Sequence, residues 1–388
     1  MKVEPMIHLP GKKCNLGAVV SGADLNHITD GDLSTLRDAI WRHKVVVIKG
    51  QESFTPQNNW RLLQSLDPEA AVPSLEEYAQ FFHPTAEPII ANLKRVSIPG
   101  AGLIHVMGKG YQGKDHWGVK ELDIGEMYAF DYYATPLSED DFENGVSRFQ
   151  AWHMDGPCYK CEPPMYTSFH LLKLPDSSRE QCVEWADGSG LTMTTKPGRT
   201  AFWSSSQLYD LLSPEEKRMA DHSWFEYMYY PFEWIKACRG NANGVGLANE
   251  GRETPMDEME KIPRRPEWQK KYPMVLVNHV TGEKSFQVQA NCVHKLFLRD
   301  GPDETPTVIT DLAEIRNFLS NIQSRIVRPE YIYMGPEEEG DLLLWLNWGV
   351  MHSRVDYPVR YGVRTAHGGW LPGSKAPVGP VPIPANAS

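Results

Sequence analysis

Cysteine is scarce in this 388-residue chain, which has only Cys14, Cys158, Cys161, Cys182, Cys238 and Cys292. Their spacing shows no disulfide framework. Cys158-x-x-Cys161 lacks a second pair at zinc-knuckle distance, and Pro157, Pro163 and Pro164 make its surroundings an irregular loop, so free thiols are expected there rather than a closed zinc site. No apolar run approaches the roughly 18 to 20 residues of a membrane span, and the N-terminus lacks a secretory h-region. Basic residues are in deficit, 39 against 50 acidic, for a net charge of -11 and a pI near 5.7. That balance disfavours a nucleic-acid or anionic-membrane partner, for which a basic face is expected. Repeats, low-complexity tracts and a clean interdomain linker are lacking too. A cytoplasmic protein acting on a small molecule is the expectation, with a homo-oligomer left open.

What is present supports one large domain. Hydrophobic residues make up 41% of the chain, enough for a sizeable core. The domain is expected over 1–372, with insertions near 65–145 and 235–270 and a disordered Pro-, Gly- and Ala-containing tail over 373–388. Thr29-Asp30-Gly31-Asp32 offers a helix cap, and Leu33, Leu36 and Ile40 follow at helical spacing. Val45-Val46-Val47-Ile48 reads as a buried strand, and Thr55-Pro56 opens a second helix. Met165 to Leu172 alternates and reads as the hairpin partner of the preceding segment, with His170 facing solvent or a packed hydrogen bond. Residues 65–145 read equally as a lid over a site or as a structural decoration, and His105 is one of their polar groups.

The chemistry begins at Phe149-Gln150-Ala151-Trp152-His153-Met154-Asp155-Gly156. In a strand, residues two apart project from one face, so His153 and Asp155 can hold adjacent positions on a metal. A late partner, His352 in Trp348-Gly349-Val350-Met351-His352-Ser353, completes two imidazoles and one carboxylate. That is the ligand set of non-haem Fe(II) oxygenases, and unlike structural zinc it leaves coordination positions open.

These residues, with Gly17–Leu25, Arg42–Ile48, Pro273–Gly282 and the acidic turn and strand Glu339–Trp345, give the chain a resemblance over roughly residues 15 to 372. It resembles the taurine dioxygenase-like (TauD/TfdA) family of Fe(II)/2-oxoglutarate-dependent oxygenases, and within it the xanthine hydroxylases. The resemblance implies a mostly β fold with flanking helices around a double-stranded β-helix, the jelly roll shared with cupins. It implies Fe(II), 2-oxoglutarate and O2 as cofactor and cosubstrates, with succinate and CO2 released as a C–H bond is oxidised. Asp155 stands where family halogenases lack the carboxylate, which points to hydroxylation, desaturation or ring closure.

The family places on the cosubstrate's distal carboxylate an arginine followed, after two intervening residues, by a histidine, and Arg364-Thr365-Ala366-His367 fits that pattern where Arg360 does not. Cys182 aligns with a threonine that helps hold 2-oxoglutarate in taurine-type members. Those members also have a substrate-facing arginine where this chain has Gly368, and the xanthine hydroxylases carry amides where it runs Gly368-Gly369-Trp370. The candidates for substrate contact are His105, Leu343, Trp345, Arg360, His367 and Trp370. Leu343, Trp345 and Asn347 alternate along one strand face and either wall the substrate pocket or sit in the barrel core, the more common fate of such a stripe. The expected substrate is a small polar molecule such as an amino acid or a secondary-metabolite intermediate, with xanthine as the alternative. A non-catalytic cupin-like metal- or ligand-binding protein is the reading from another class.

Overall fold

The computed structural model describes residues 1–74, 77, 96–125, 132–158, 160–264 and 268–384. The strands that build the barrel are β1 (Lys2–Pro5), β2 (Ala18–Ser21), β3 (Val45–Ile48), β4 (Val96–Ser97), β5 (His105–Tyr111), β6 (Tyr166–Lys173), β7 (Thr200–Ser204), β8 (Tyr333–Gly335), β9 (Leu342–Leu346), β10 (Val350–Arg354) and β11 (Arg364–Trp370). The larger sheet runs β1-β2-β3-β9-β6-β11-β5-β4, and the smaller runs β8-β7-β10. Two sheets face to face, filled by strands far apart in sequence, make the jelly roll.

Register decides which side chains meet inside. Directly paired residues share a face, so Val45, Trp345, Thr167 and Trp370 form one row across the larger sheet. The next row is Val47, Leu343, Phe169, Gly368 and His105. These inner rows pack Phe169, Leu343 and Trp345 against Phe202, Tyr333 and Val350 of the smaller sheet. The alternate residues, among them Val46, Ile48, Leu342 and Leu344, face outward onto α1 (Asp30–His43) and α2 (Pro56–Leu66) through Leu36, Ile40, Leu62 and Leu63. Thr29 begins α1 with a reciprocal capping box to Asp32, a motif worth about 1 kcal/mol. Thr55 caps α2, with Pro56 at its first position.

Three local expectations are corrected. Met165–Leu172 is no hairpin partner of the His-x-Asp segment: β6 lies between β9 and β11 in the larger sheet. The 65–145 region is not all insertion, because β4 and β5 extend the larger sheet beside β11. Residues 75–76, 78–95 and 126–131 lie outside the described residues, and so does that part of the lid reading. The tail is anchored over 373–378, where the Ser374 amide donates to Asp67 and Val378 accepts from the Val277 amide at 2.9 Å. The 235–270 excursion carries a small core of its own, with Trp234, Met259 and Trp268 against Tyr229 and Tyr230. Among the described residues no helix is long and apolar enough to cross a membrane.

Candidate metal centre and active site

His153, Asp155 and His352 come together, each offering one ligand atom, with all such atoms within 4.8 Å of one another. The segment that carries the first two is not a regular strand. A single antiparallel bridge joins His153 to His352, with reciprocal amide-to-carbonyl bonds of 3.0 and 2.9 Å. Gly156 then turns the chain away at φ +75°, where an added Cβ would lie 2.7 Å from Pro164 Cδ. Position by position, this fixes where each donor points.

Each side chain has one atom committed to protein or one left for a ligand. Nδ1 of His153 bonds to the Ala151 carbonyl at 2.8 Å, leaving Nε2 free. Oδ2 of Asp155 accepts from Thr167 Oγ1 at 2.9 Å, and Oδ1 faces His352 Nε2 at 3.8 Å. The His352 ring packs near-parallel on Phe202, with centroids 5.9 Å apart, and lies 5.2 Å from the Trp345 ring. Burial holds His352 down at about 3, helped by the neighbouring His153 and opposed by Asp155. It is therefore a neutral imidazole at neutral pH, the form that donates to a metal. Nδ1 of His352 is buried without a protein partner among the described residues. Two imidazoles and one carboxylate oxygen fit Fe(II) and leave out the thiolates of a closed zinc site.

Asn347 locks the loop behind Asp155. Its side chain accepts from the Asp155 amide at 2.8 Å and donates to the Asp155 and Pro164 carbonyls at 2.9 and 3.0 Å. Asn347 is fully buried, so no water competes for those groups. Sequence reading set Asn347 among possible pocket or core residues and passed over Thr167. The available signal was polarity inside apolar runs, an amide after Leu342–Leu346 and a hydroxyl in the Tyr166–Leu172 strand.

Arg364 lies on the inner face of the same sheet. Its guanidinium sits 4.8 Å over the Phe169 ring and donates to Thr200 Oγ1 at 3.1 Å. It makes no ion pair among the described residues, and its Nε is buried without a partner. Burial lowers its pKa to about 10. A desolvated cation without a counter-ion is costly to hold, which makes it a receptor for an anion.

The other candidates divide by face. Register puts His105, Leu343, Trp345 and Trp370 on the inner rows, although His105 is buried with Nδ1 near Ser97 Oγ at 3.3 Å. His367 is corrected. Three residues from Arg364, it emerges on the opposite face, where its Nε2 lies 2.8 Å from His116 Nε2 and its ring 6.4 Å from that of His170. His170 does not face solvent: it is 2% exposed. Arg360 belongs to the surface, exposed on a 3-10 turn and paired with Glu143 at 2.7 Å. Cys182 lies in a separate three-stranded sheet, paired with Val146 and Thr194, and the structure records no contact between it and Arg364 or the triad.

A jelly roll with two histidines, a carboxylate and an arginine that has no ion pair among the described residues is the architecture of a metal-dependent oxygenase. Comparison with known proteins defines the group more narrowly. Residues 114–370 match the model of the taurine catabolism dioxygenase TauD, TfdA family, and the chain belongs to that family. The alpha-ketoglutarate-dependent dioxygenase bsc9 of Alternaria brassicicola is 53% identical over 386 residues, covering 99% of this chain and 96% of its own. The alpha-ketoglutarate-dependent dioxygenase fc-dox of Phomopsis amygdali is 53% identical over 370 residues, covering 95% and 92%. The alpha-ketoglutarate-dependent xanthine dioxygenase xanA of Emericella nidulans is 34% identical over 358 residues, covering 91% of each. Among solved structures, AAD-2 in complex with Mn(II) and N-oxalylglycine superposes with a TM-score of 0.56 at 16% identity, covering 97% of this chain and 100% of that one. That likeness concerns the fold. The chain is thus an enzyme of the alpha-ketoglutarate-dependent dioxygenase family.

Proposed function

We propose that this enzyme oxidises a C–H bond of a small molecule, such as an amino acid or a secondary-metabolite intermediate, using Fe(II), 2-oxoglutarate and O2. The observation that carries the reading is the convergence of three free donor atoms from His153, Asp155 and His352 within 4.8 Å. When bound, the iron with its cosubstrates supplies a two-electron oxidation, and succinate and CO2 leave. The protein's residues do the rest. His153, Asp155 and His352 would hold the metal, and the bridge between the two histidine backbones fixes their separation before any ligand arrives. Arg364 and the Thr200 hydroxyl present donors to the distal carboxylate of the 2-oxo acid, which a planar guanidinium matches in two hydrogen bonds. Phe202 and Trp345 cover His352 and keep water from that side of the centre.

Asp155→Ala is expected to abolish 2-oxoglutarate-dependent succinate formation, scored against a metabolite panel. Succinate release undiminished in the variant would sink the assignment. Anaerobic Fe(II) with 2-oxoglutarate should give a weak visible charge-transfer band in the native protein and none in Asp155→Ala. Xanthine is the second reading, supported by the 34% identity to a xanthine dioxygenase, and one assay for uric acid decides it. Against it stands Gly368-Gly369-Trp370, which offers no amide side chains to a purine.

A further inference from the structure

The Asp155 carboxylate has one oxygen already occupied. Thr167 Oγ1 donates to Oδ2 at 2.9 Å, and only Oδ1 faces His352 Nε2. Thr167 is 4% exposed and paired between Trp345 and Trp370, so its side chain is held by two indole-bearing neighbours in register. On the same face Leu343, Phe169 and Ala366 belong to one core cluster. A hydroxyl buried there is costly unless it has a hydrogen-bond partner, and the partner it has is a metal-ligand candidate. A carboxylate with both oxygens free binds a cation through one of them or through both. The second mode takes a coordination position that a chelating 2-oxo acid needs.

We propose that Thr167 is a positioning residue that keeps Asp155 a one-oxygen donor and so preserves the position for the cosubstrate. This rests on the metal-site reading given above. Asn347 acts with it by fixing the Asp155 backbone on both sides, which leaves the carboxylate's rotation as the freedom that Thr167 removes.

The test compares wild type with Thr167→Val, which deletes the hydroxyl at nearly constant shape, and Thr167→Ser, which keeps it. Thr167→Ala is carried alongside in case the valine variant fails to fold. Each protein is loaded with Co(II), and its visible spectrum and its affinity for N-oxalylglycine are measured by absorbance and calorimetry. The hydroxyl-free variants should still take up Co(II), show altered d–d bands, and bind N-oxalylglycine at least about 10-fold more weakly, on the scale by which loss of a ligand's supporting hydrogen bond changes metal affinity or activity. Thr167→Ser should return both readouts toward wild type. A hydroxyl-free variant with wild-type bands and affinity overturns the inference, as does Thr167→Ser losing as much as Thr167→Val. Wild-type protein that takes up no Co(II) would instead defeat the metal-site reading, and this inference with it.

Discussion

Replacing Arg364 by methionine should move stability and cosubstrate affinity in opposite senses. The guanidinium is held by one hydrogen bond to Thr200 and one contact with Phe169, with no counter-ion among the described residues. Losing the hydrogen bond costs about 1 kcal/mol, and losing the ring contact about another 1 kcal/mol. Removing a desolvated charge returns several kcal/mol, so the ligand-free protein should be unchanged or more stable. Binding is different. Truncating one partner of a buried, charge-assisted pair costs about 2 to 5 kcal/mol, or roughly 30- to 4,000-fold in affinity. Calorimetric titration of the Co(II)-loaded protein with N-oxalylglycine reads the second quantity, and denaturant unfolding of the ligand-free protein reads the first. Tight binding retained in Arg364→Met, or a loss of stability beyond about 2 kcal/mol, would refute the argument that this cation waits for an anion.

Two further outcomes follow from buried polar groups. Asn347→Ala strips partners from the Asp155 amide and from the Asp155 and Pro164 carbonyls; at about 1 to 3 kcal/mol per orphaned group, partly relieved by relaxation, it should destabilise by about 3 kcal/mol or more in urea unfolding and weaken Co(II) uptake. An Asn347→Ala protein as stable as wild type would show the loop to be held by something else. Burial holds His170 at about 4 and His367 at about 3, below their ordinary value. Both pKa values are depressed, so the unfolded chain takes up protons first. Their support of the fold is complete above about pH 6.5 and is lost as pH falls toward 4 and then 3, at about 1.4 kcal/mol per histidine per pH unit. His170→Leu should therefore lose less stability than wild type between pH 7 and pH 5, by about 1 to 2 kcal/mol, and equal losses would contradict the assignment.

Motif spacing made His153, Asp155 and His352 readable, and the order of segments made the barrel readable. Arg364 was separable from Arg360 by pattern, and the structure gives the two quite different surroundings. Face was harder to read than identity. His367 and Arg364 share a strand, yet alternation sends them to opposite sides, and only the register against β6 and β5 tells which side is inner. Periodicity in Met165–Leu172 announced a strand without naming its neighbours, because β9 and β11 come from a distant part of the chain. Thr167 and Asn347 stayed hidden for a related reason. Their meaning lies in partners that fold topology supplies, and a polar residue in an apolar run has no direction until the sheets close.

The bridge between His153 and His352 has a further consequence for how the enzyme acquires its metal. Peptide groups tie the two segments together, so the spacing of the two histidines is set by backbone hydrogen bonds. Chelation should then drain activity without melting the molecule, and resupply should restore it within a mixing time.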